Sequence, residues 1–310
     1  MPRSNPPRKL SALKIKKVGF VVKHNHHEAA DLTLELAEFV MESKLPVVFA
    51  DESSHLARML KKRNSKGKII ILPKPKLVDH CDLIVVLGGD GTFLSIARLM
   101  HGKSVPVMGV NMGQLGFLTE IKKTEALAQL GAILRGKAPL ISERALLEVT
   151  LTRKNRVVFQ GPVVNDAVIS KGAIARIIGI QILINGKDVS HVRADGIIVS
   201  TPTGSTAYSL AAGGPVVEPS MPALVISAIC PHSLTQRPLV VSDDSEIQMR
   251  LNHRPGHVLL TLDGQDAVDL KEGDIVTVRR FKKHSLKLIS SPERDYFGLL
   301  REKLKFGMRD

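Results

Sequence analysis

The sequence predicts an α/β domain with a parallel sheet, followed by an all-β sandwich. Three observations carry this. Short apolar runs alternate with segments of helical spacing up to about residue 140. Beyond that point brief strand patterns separated by turn signals replace the helices. A last helical stretch near 293–305 then suits packing back on the first domain. Repeated β-α units imply a parallel sheet covered by helices on both faces, and regularly punctuated strands imply a sandwich.

The elements follow in order. Val18–Val22 is a continuous apolar run suited to a buried parallel strand. Glu28–Ser43 has helical spacing, Val47–Ala50 reads as a second strand, and Ser54 is placed to cap a helix running to Arg63. Ile69–Leu72 is apolar, and Leu83–Leu87 is the clearest buried strand. Phe93–Met100 is helical, Val105–Val110 a strand and Thr124–Leu134 a helix. The second half offers strands at Leu146–Leu151, Val157–Phe159, Val163–Ile169, Ile177–Ile184, Gly196–Ser200, Leu224–Ala228, Ile247–Leu251, His257–Leu262 and Ile275–Arg279. Asn185-Gly186 is a strong two-residue hairpin turn, since both positions tolerate positive φ. The expected organisation is a basic flexible tail (1–17), a Rossmann-like α/β domain (18–140), a β-sandwich (141–280) and a C-terminal segment (281–310) returning to the first domain.

The chain of 310 residues carries a net charge of +14, which raises the question of nucleic acid. The distribution argues against it. Residues 1–17 contribute +6 and residues 271–310 another +5, leaving +3 for the rest. Aromatic content is only 4%, too little for base-stacking platforms. A solvated face, together with attraction for polyanionic nucleotides, accounts for the excess better. No apolar run approaches the roughly 18–20 residues of a membrane span, and the N-terminus lacks the apolar region of a secretory signal. Cys81 and Cys230 form no spaced framework and sit beside apolar runs, so both read as buried reduced thiols of a cytoplasmic protein.

Chemistry concentrates in three motifs. Gly88-Gly89-Asp90-Gly91-Thr92 follows the strand Leu83–Leu87 and precedes a helix. Parallel sheets place ligands at the carboxyl ends of their strands. Glycines admit a phosphate close to the backbone, and the helix N-terminus favours anions. A carboxylate in such a loop repels phosphate, so Asp90 points to proton abstraction or Mg²⁺ contact; the bland alternative is a turn in which Asp90 caps the helix. The second motif runs from Asp195-Gly196 through Ser200-Thr201-Pro202-Thr203-Gly204-Ser205-Thr206-Ala207-Tyr208 to Gly213-Gly214-Pro215. It offers many donors with little bulk, and the Tyr208 ring suits stacking on a base. Asn165-Asp166, the third, interrupts an apolar run. Two buried polar residues need a partner, and a ribose diol or a turn would supply one. His232, within Pro231–Pro238, reads as a structural histidine, Asp263-Gly264-Gln265 as a hairpin turn, and His26-His27 as a solvated loop, not a metal site.

These motifs, in this order, resemble those of the NAD kinases, with a likeness running from about Val18 to Ile289. The glycine-aspartate loop alone is similar to those of 6-phosphofructokinases and of diacylglycerol and sphingosine kinases; the Thr-Pro-Thr-Gly-Ser-Thr-Ala-Tyr run is the specific part. The resemblance implies ATP-dependent phosphorylation of NAD on its adenosine ribose, with NAD between two domains and Asp90 as the base. It implies phosphate contacts at Gly88, Gly89, Gly91 and Thr92, and a ligand contact at Gly91. Asn165 and Asp166 would hold nucleotide hydroxyls, Asp195 the nicotinamide side, and Thr206, Ala207, Tyr208, Ser209, Leu210 and Ala211 the adenosine. Gln265 would stand at the ligand's edge. Arg176 and Arg193 resemble ligand-contacting positions, and an arginine at 193 resembles members that prefer NAD to NADH. Asp166 stands where the family often has Glu, and Ala211 where it often has Ser. Mg²⁺ or another divalent ion, ATP or polyphosphate as donor, and a homodimer or homotetramer follow from the same likeness. The rival readings are a lipid or sugar kinase of the wider superfamily and a non-catalytic nucleotide-binding protein.

Overall fold

The computed structural model describes residues 8–9, 12–63, 67–100, 102–172, 176–253, 256–282 and 284–305. Of the flexible basic tail expected over 1–17, residues 1–7 and 10–11 lie outside the described residues, and 12–17 are not loose: Leu13 and Ile15 pack against the α/β core, and the Lys16 and Lys17 N–H groups donate to Asp82 Oδ2 at 2.9 Å. The described residues divide into two compact units, one of those up to 143 with 286–305, the other of those from 144 to 285.

The first unit is α/β. Its nine-stranded sheet runs in the order Arg8–Lys9, Leu140–Arg144, Leu286–Ile289, Val107–Asn111, Leu83–Gly88, Val18–Val22, Val47–Ala50, Ile69–Leu72, with Ile121–Lys122 also paired to Val107–Asn111. Adjacent strands from Leu286–Ile289 to Ile69–Leu72 are parallel. The central strands are apolar at every position because both faces are covered. Val18, Phe20, Val22, Leu83, Val85 and Leu87 join one core with the helices His27–Glu42, Ser54–Lys62 and Ala126–Leu134. On the opposite face a Cβ at Gly19 would meet Cys81 Sγ at 2.7 Å and Leu77 at 2.8 Å. Glycine there lets the helix Lys74–His80 lie close to the sheet.

Several boundaries differ from the sequence reading. Ser54 is the first helical residue and Ser53 the cap position, preceded by a 3₁₀ turn at Asp51–Ser53, and neither serine caps through its side chain. The helix Lys74–His80 was not anticipated, because a seven-residue segment with Pro75 gives little periodicity. Cys81 is buried, and desolvation pushes its thiol up to about 12. Cys230, expected to be buried, is exposed: it ends the strand Ala223–Ile229 with φ of 45° and turns outward.

The C-terminal strand Leu286–Ile289 lies parallel to Val107–Asn111 and is followed by the helix Tyr296–Leu304. Asp295 caps that helix by accepting from Gly298 N–H. Arg294 pairs with Glu125 and donates to the Glu120 carbonyl at 3.0 Å, fastening the segment to the α/β unit.

The second unit consists of two six-stranded antiparallel sheets. One is ordered Arg156–Val163, Leu147–Arg153, Ile275–Arg280, Ile247–His253, Ile178–Ile184, Lys187–Ala194. The other is Leu239–Ser242, Ala223–Ile229, Gly196–Ser200, Asp166–Lys171, Val258–Leu262, Asp266–Asp269. Alternate residues such as Val149, Leu151, Ile180 and Ile182 from the first sheet meet Ala167, Ile169, Ile197 and Val199 from the second in one core. Asn185 and Gly186 take φ of 51° and 76°, as a type I′ hairpin requires. Asp263 and Gly264 do the same at 50° and 62° between Val258–Leu262 and Asp266–Asp269.

Candidate active site

In the α/β unit, the strand Leu83–Gly88 ends at the motif's first glycine and a helix starts at Asp90. Gly89, at the cap position, is extended and supplies no capping side chain. A Cβ on Gly88 would meet Thr92 Oγ1 at 2.5 Å, whereas Gly89 and Gly91 face open space. The loop therefore leaves bare backbone at a helix N-terminus, the arrangement that receives phosphate.

The Asp90 carboxylate is held by a segment that the sequence reading did not single out. Its Oδ2 accepts from Phe117 N–H at 2.9 Å. Its Oδ1 accepts from Leu118 N–H at 3.1 Å, Thr119 N–H at 3.0 Å and Thr119 Oγ1 at 3.0 Å. Two oxygens that only accept are the pattern of an ionised carboxylate. Asn111 organises the donating loop: its Nδ2 donates to Gln114 O at 2.6 Å and to Thr119 Oγ1 at 3.1 Å, and its Oδ1 accepts from Gly113 N–H at 2.7 Å. Gly116 leaves no room for a side chain, since a Cβ there would overlap Asp90 Oδ1 and Thr119 Oγ1. The available signal in the sequence was the pair of glycines at 113 and 116 just after the buried strand Val107–Asn111.

In the β unit, the strand-like run read over Val163–Ile169 breaks at Val164-Asn165, and a new strand begins at Asp166. Asp263, read only as a turn residue, holds that break. Its carboxylate accepts from Val164 N–H at 2.9 Å, Asn165 N–H at 2.7 Å and Asp166 N–H at 3.2 Å. Thr201 adds a second tie, its hydroxyl donating to Val164 O at 2.7 Å and accepting from Gly204 N–H at 3.0 Å. Asp166 is 4% exposed. Burial, then the neighbouring Asp263 charge, raise its carboxyl to about 7, against the lowering effect of a hydrogen bond from the Tyr208 backbone N–H. Near neutrality Asp166 can therefore both donate and accept, as a sugar diol requires.

Asn165, Asp166, Ala207 and Tyr208 line a pocket of about 290 Å³ together with Asp263 and Gly264. Tyr208 is 47% exposed and free to stack. The other expected contacts are not among the residues lining it. Thr206 Oγ1 donates to Thr203 O at 3.3 Å, and Ser209 is fully buried with its hydroxyl 3.1 Å from that of Ser227. Leu210 is half-buried, while Ala211 and Gln265 are exposed. Asp195 pairs with Lys171 at 2.8 Å, and Arg176 and Arg193 are exposed. His232 lies on an exposed loop, its N–H donating to Arg193 O at 2.9 Å. Among the described residues no group of three His, Cys, Asp or Glu could hold a metal ion, and no helix is long and apolar enough to cross a membrane.

The chain is similar to known proteins along most of its length. Residues 18–138 match the ATP-NAD kinase N-terminal domain, and 164–291 match the ATP-NAD kinase C-terminal domain. The NAD kinase of Geobacter metallireducens is 43% identical over 95% of this chain and all of its own length. That of Aquifex aeolicus is 46% identical over 80% of this chain and 88% of its own. Among solved structures, yeast NADH kinase complexed with NADH superposes with a TM-score of 0.88 at 25% identity, covering 100% of this chain and 96% of that one. An NAD kinase from Archaeoglobus fulgidus in complex with ATP shares the fold, with a TM-score of 0.66 at 23% identity over 92% of this chain and 99% of that one. The chain belongs to the NAD kinase family.

Proposed function

We propose that this protein transfers the terminal phosphate of ATP to the 2′-hydroxyl of the adenosine ribose of NAD, giving NADP. Identity of 43% and 46%, over 95% and 80% of this chain, to enzymes named NAD kinase supports the reaction and its acceptor. The observation that carries the mechanism is the Asp90 carboxylate, fixed by four donors beside the bare glycines of a helix-opening loop.

In this reading the backbone of Gly88, Gly89 and Gly91 and the hydroxyl of Thr92 position the donor phosphates at the helix N-terminus. Asp90 Oδ2 accepts one described bond and retains a lone pair, so it takes the proton of the 2′-hydroxyl as that oxygen attacks phosphorus. Asn165 and Asp166, whose carboxyl is raised by burial and by Asp263, orient ribose hydroxyls, and Tyr208 with Ala207 supplies the stacking wall. Thr206, Ser209, Leu210, Ala211 and Gln265 complete the acceptor contacts, with Asp195, Arg176 and Arg193 toward the nicotinamide end. The donor set suits a divalent ion that arrives with the triphosphate better than one caged by protein ligands. Such an ion would neutralise the phosphate charge. A cytoplasmic homo-oligomer belongs to the same reading.

The test is direct: purified protein with ATP, Mg²⁺ and NAD, followed with an NADP-specific dehydrogenase, should accumulate NADP. ATP-dependent phosphorylation of a lipid or sugar with no NADP formed would replace this assignment.

A further inference from the structure

A second cavity in the α/β unit, of about 580 Å³, lies on the segment that holds Asp90. Asn111, Met112, Gly113, Gln114 and Leu115 line one part of it. Lys122, Lys123 and Thr124, with Glu302, Lys303 and Lys305 from the C-terminal helix and its cap, line the rest. Met112 and Leu115 are each only 7% exposed and make an apolar floor.

The charge of this cavity is one-sided, with four ammonium groups against the single carboxylate of Glu302. Lys123 is engaged by Glu28 at 2.9 Å. The Lys122 charge also acts on the Glu125 carboxylate, whereas Lys303 and Lys305 form no ion pair with a carboxylate among the described residues. Lys303 instead rests its ammonium 5.4 Å from the Phe117 ring centroid. A concave wall that gathers like charges favours a ligand of opposite sign, and flexible ammonium groups wrap a chain of phosphates as point charges. The volume falls in the range of small-molecule sites.

We propose that this pocket binds a polyphosphate anion, separately from the glycine loop at Gly88–Thr92. The inference does not depend on the role of Asp90 as a base. The chain contains no tryptophan, so Gln114→Trp places a unique fluorophore in the cavity; the Gln114 backbone carbonyl that holds Asn111 is retained. Inorganic tripolyphosphate and pyrophosphate are titrated at constant ionic strength at a series of fixed NAD concentrations from zero to saturation, and ADP is run in parallel. The expected result is a saturable fluorescence change, weakened tenfold or more in the K122Q/K303Q/K305Q variant. ADP binding more tightly than pyrophosphate identifies a nucleotide ligand; equal binding identifies the phosphate chain alone. Because Gln114→Trp could itself disturb the pocket, phosphorus NMR line broadening of tripolyphosphate is measured with unsubstituted protein and with the lysine variant. Absence of saturable binding in both measurements overturns the proposal. So does binding that the lysine variant leaves unchanged, which marks the glycine loop, or binding displaced in proportion to added NAD, which marks the acceptor site.

Discussion

Replacing Asp166 with Asn should stabilise the protein above neutral pH while impairing NAD use. Asp166 is almost wholly buried, and its carboxyl is raised from 3.8 to about 7 by desolvation and by Asp263. Between those values the unfolded chain gives up its proton and the native state keeps it, so native stability falls as pH rises through that window. About three pH units at roughly 1.4 kcal/mol each puts the penalty of the ionised group on the order of 4 kcal/mol by pH 8. Asn carries no charge, keeps an oxygen to accept the Tyr208 N–H, and gains an amide facing Asp263. It still has a polar group to desolvate, so a net gain of about 2 kcal/mol is expected, or roughly 4–8 °C in melting temperature. At pH 4 the native carboxyl keeps its proton and the unfolded one is close to half-protonated, so most of the gain should be gone. Thermal melts of both proteins at pH 4 and pH 8 decide the matter. A variant that melts no higher than wild type at pH 8, or that shows the same difference at both pH values, refutes the electrostatic account of this site.

Other perturbations give distinct readouts. Gly116→Ala inserts a methyl group where Asp90 Oδ1 and Thr119 Oγ1 already meet, so the carboxylate must move, and steady-state assays should show kcat lower by on the order of 100-fold. Gly91→Ala meets nothing in the free protein; its melting temperature should stay near wild type while KM for ATP rises, as measured by titrating ATP at saturating NAD. Chelation of divalent ions should abolish turnover without shifting the melting temperature, since no cluster of three ligands among the described residues holds a metal as part of the fold.

Much of the local structure of the candidate site was legible because its signals are local. The apolar strand Leu83–Gly88 followed by glycines and Asp90 announces a ligand loop at a strand's carboxyl end, and the Asn185-Gly186 turn announces its hairpin. Asn165 and Asp166 stood out as polar residues in an apolar run, and the pocket gathers both with Tyr208. What escaped was held by distant backbone groups. Asp90 is bonded to amides 27–29 residues away, and a backbone N–H is the same in every non-proline residue, so no side-chain type reveals it. Asp263 likewise acts across about a hundred residues on the amides of Val164, Asn165 and Asp166, and from sequence it is indistinguishable from an ordinary turn aspartate. The four-residue strands Leu239–Ser242 and Leu286–Ile289 also escaped. They form because a neighbouring strand offers unpaired backbone groups.

The most direct test of the account compares wild type and Asp90→Asn in a single-turnover experiment with NAD and ATP prebound, alongside a separate titration of NAD. Asn retains one acceptor oxygen for the amides of 117–119 but cannot take a proton, so NAD affinity should remain within a few-fold while the rate of NADP formation falls by on the order of 100- to 10,000-fold. NADP forming at near wild-type rate in a variant that binds NAD normally would show that another group removes the proton and that the carboxylate serves only to fasten the loop.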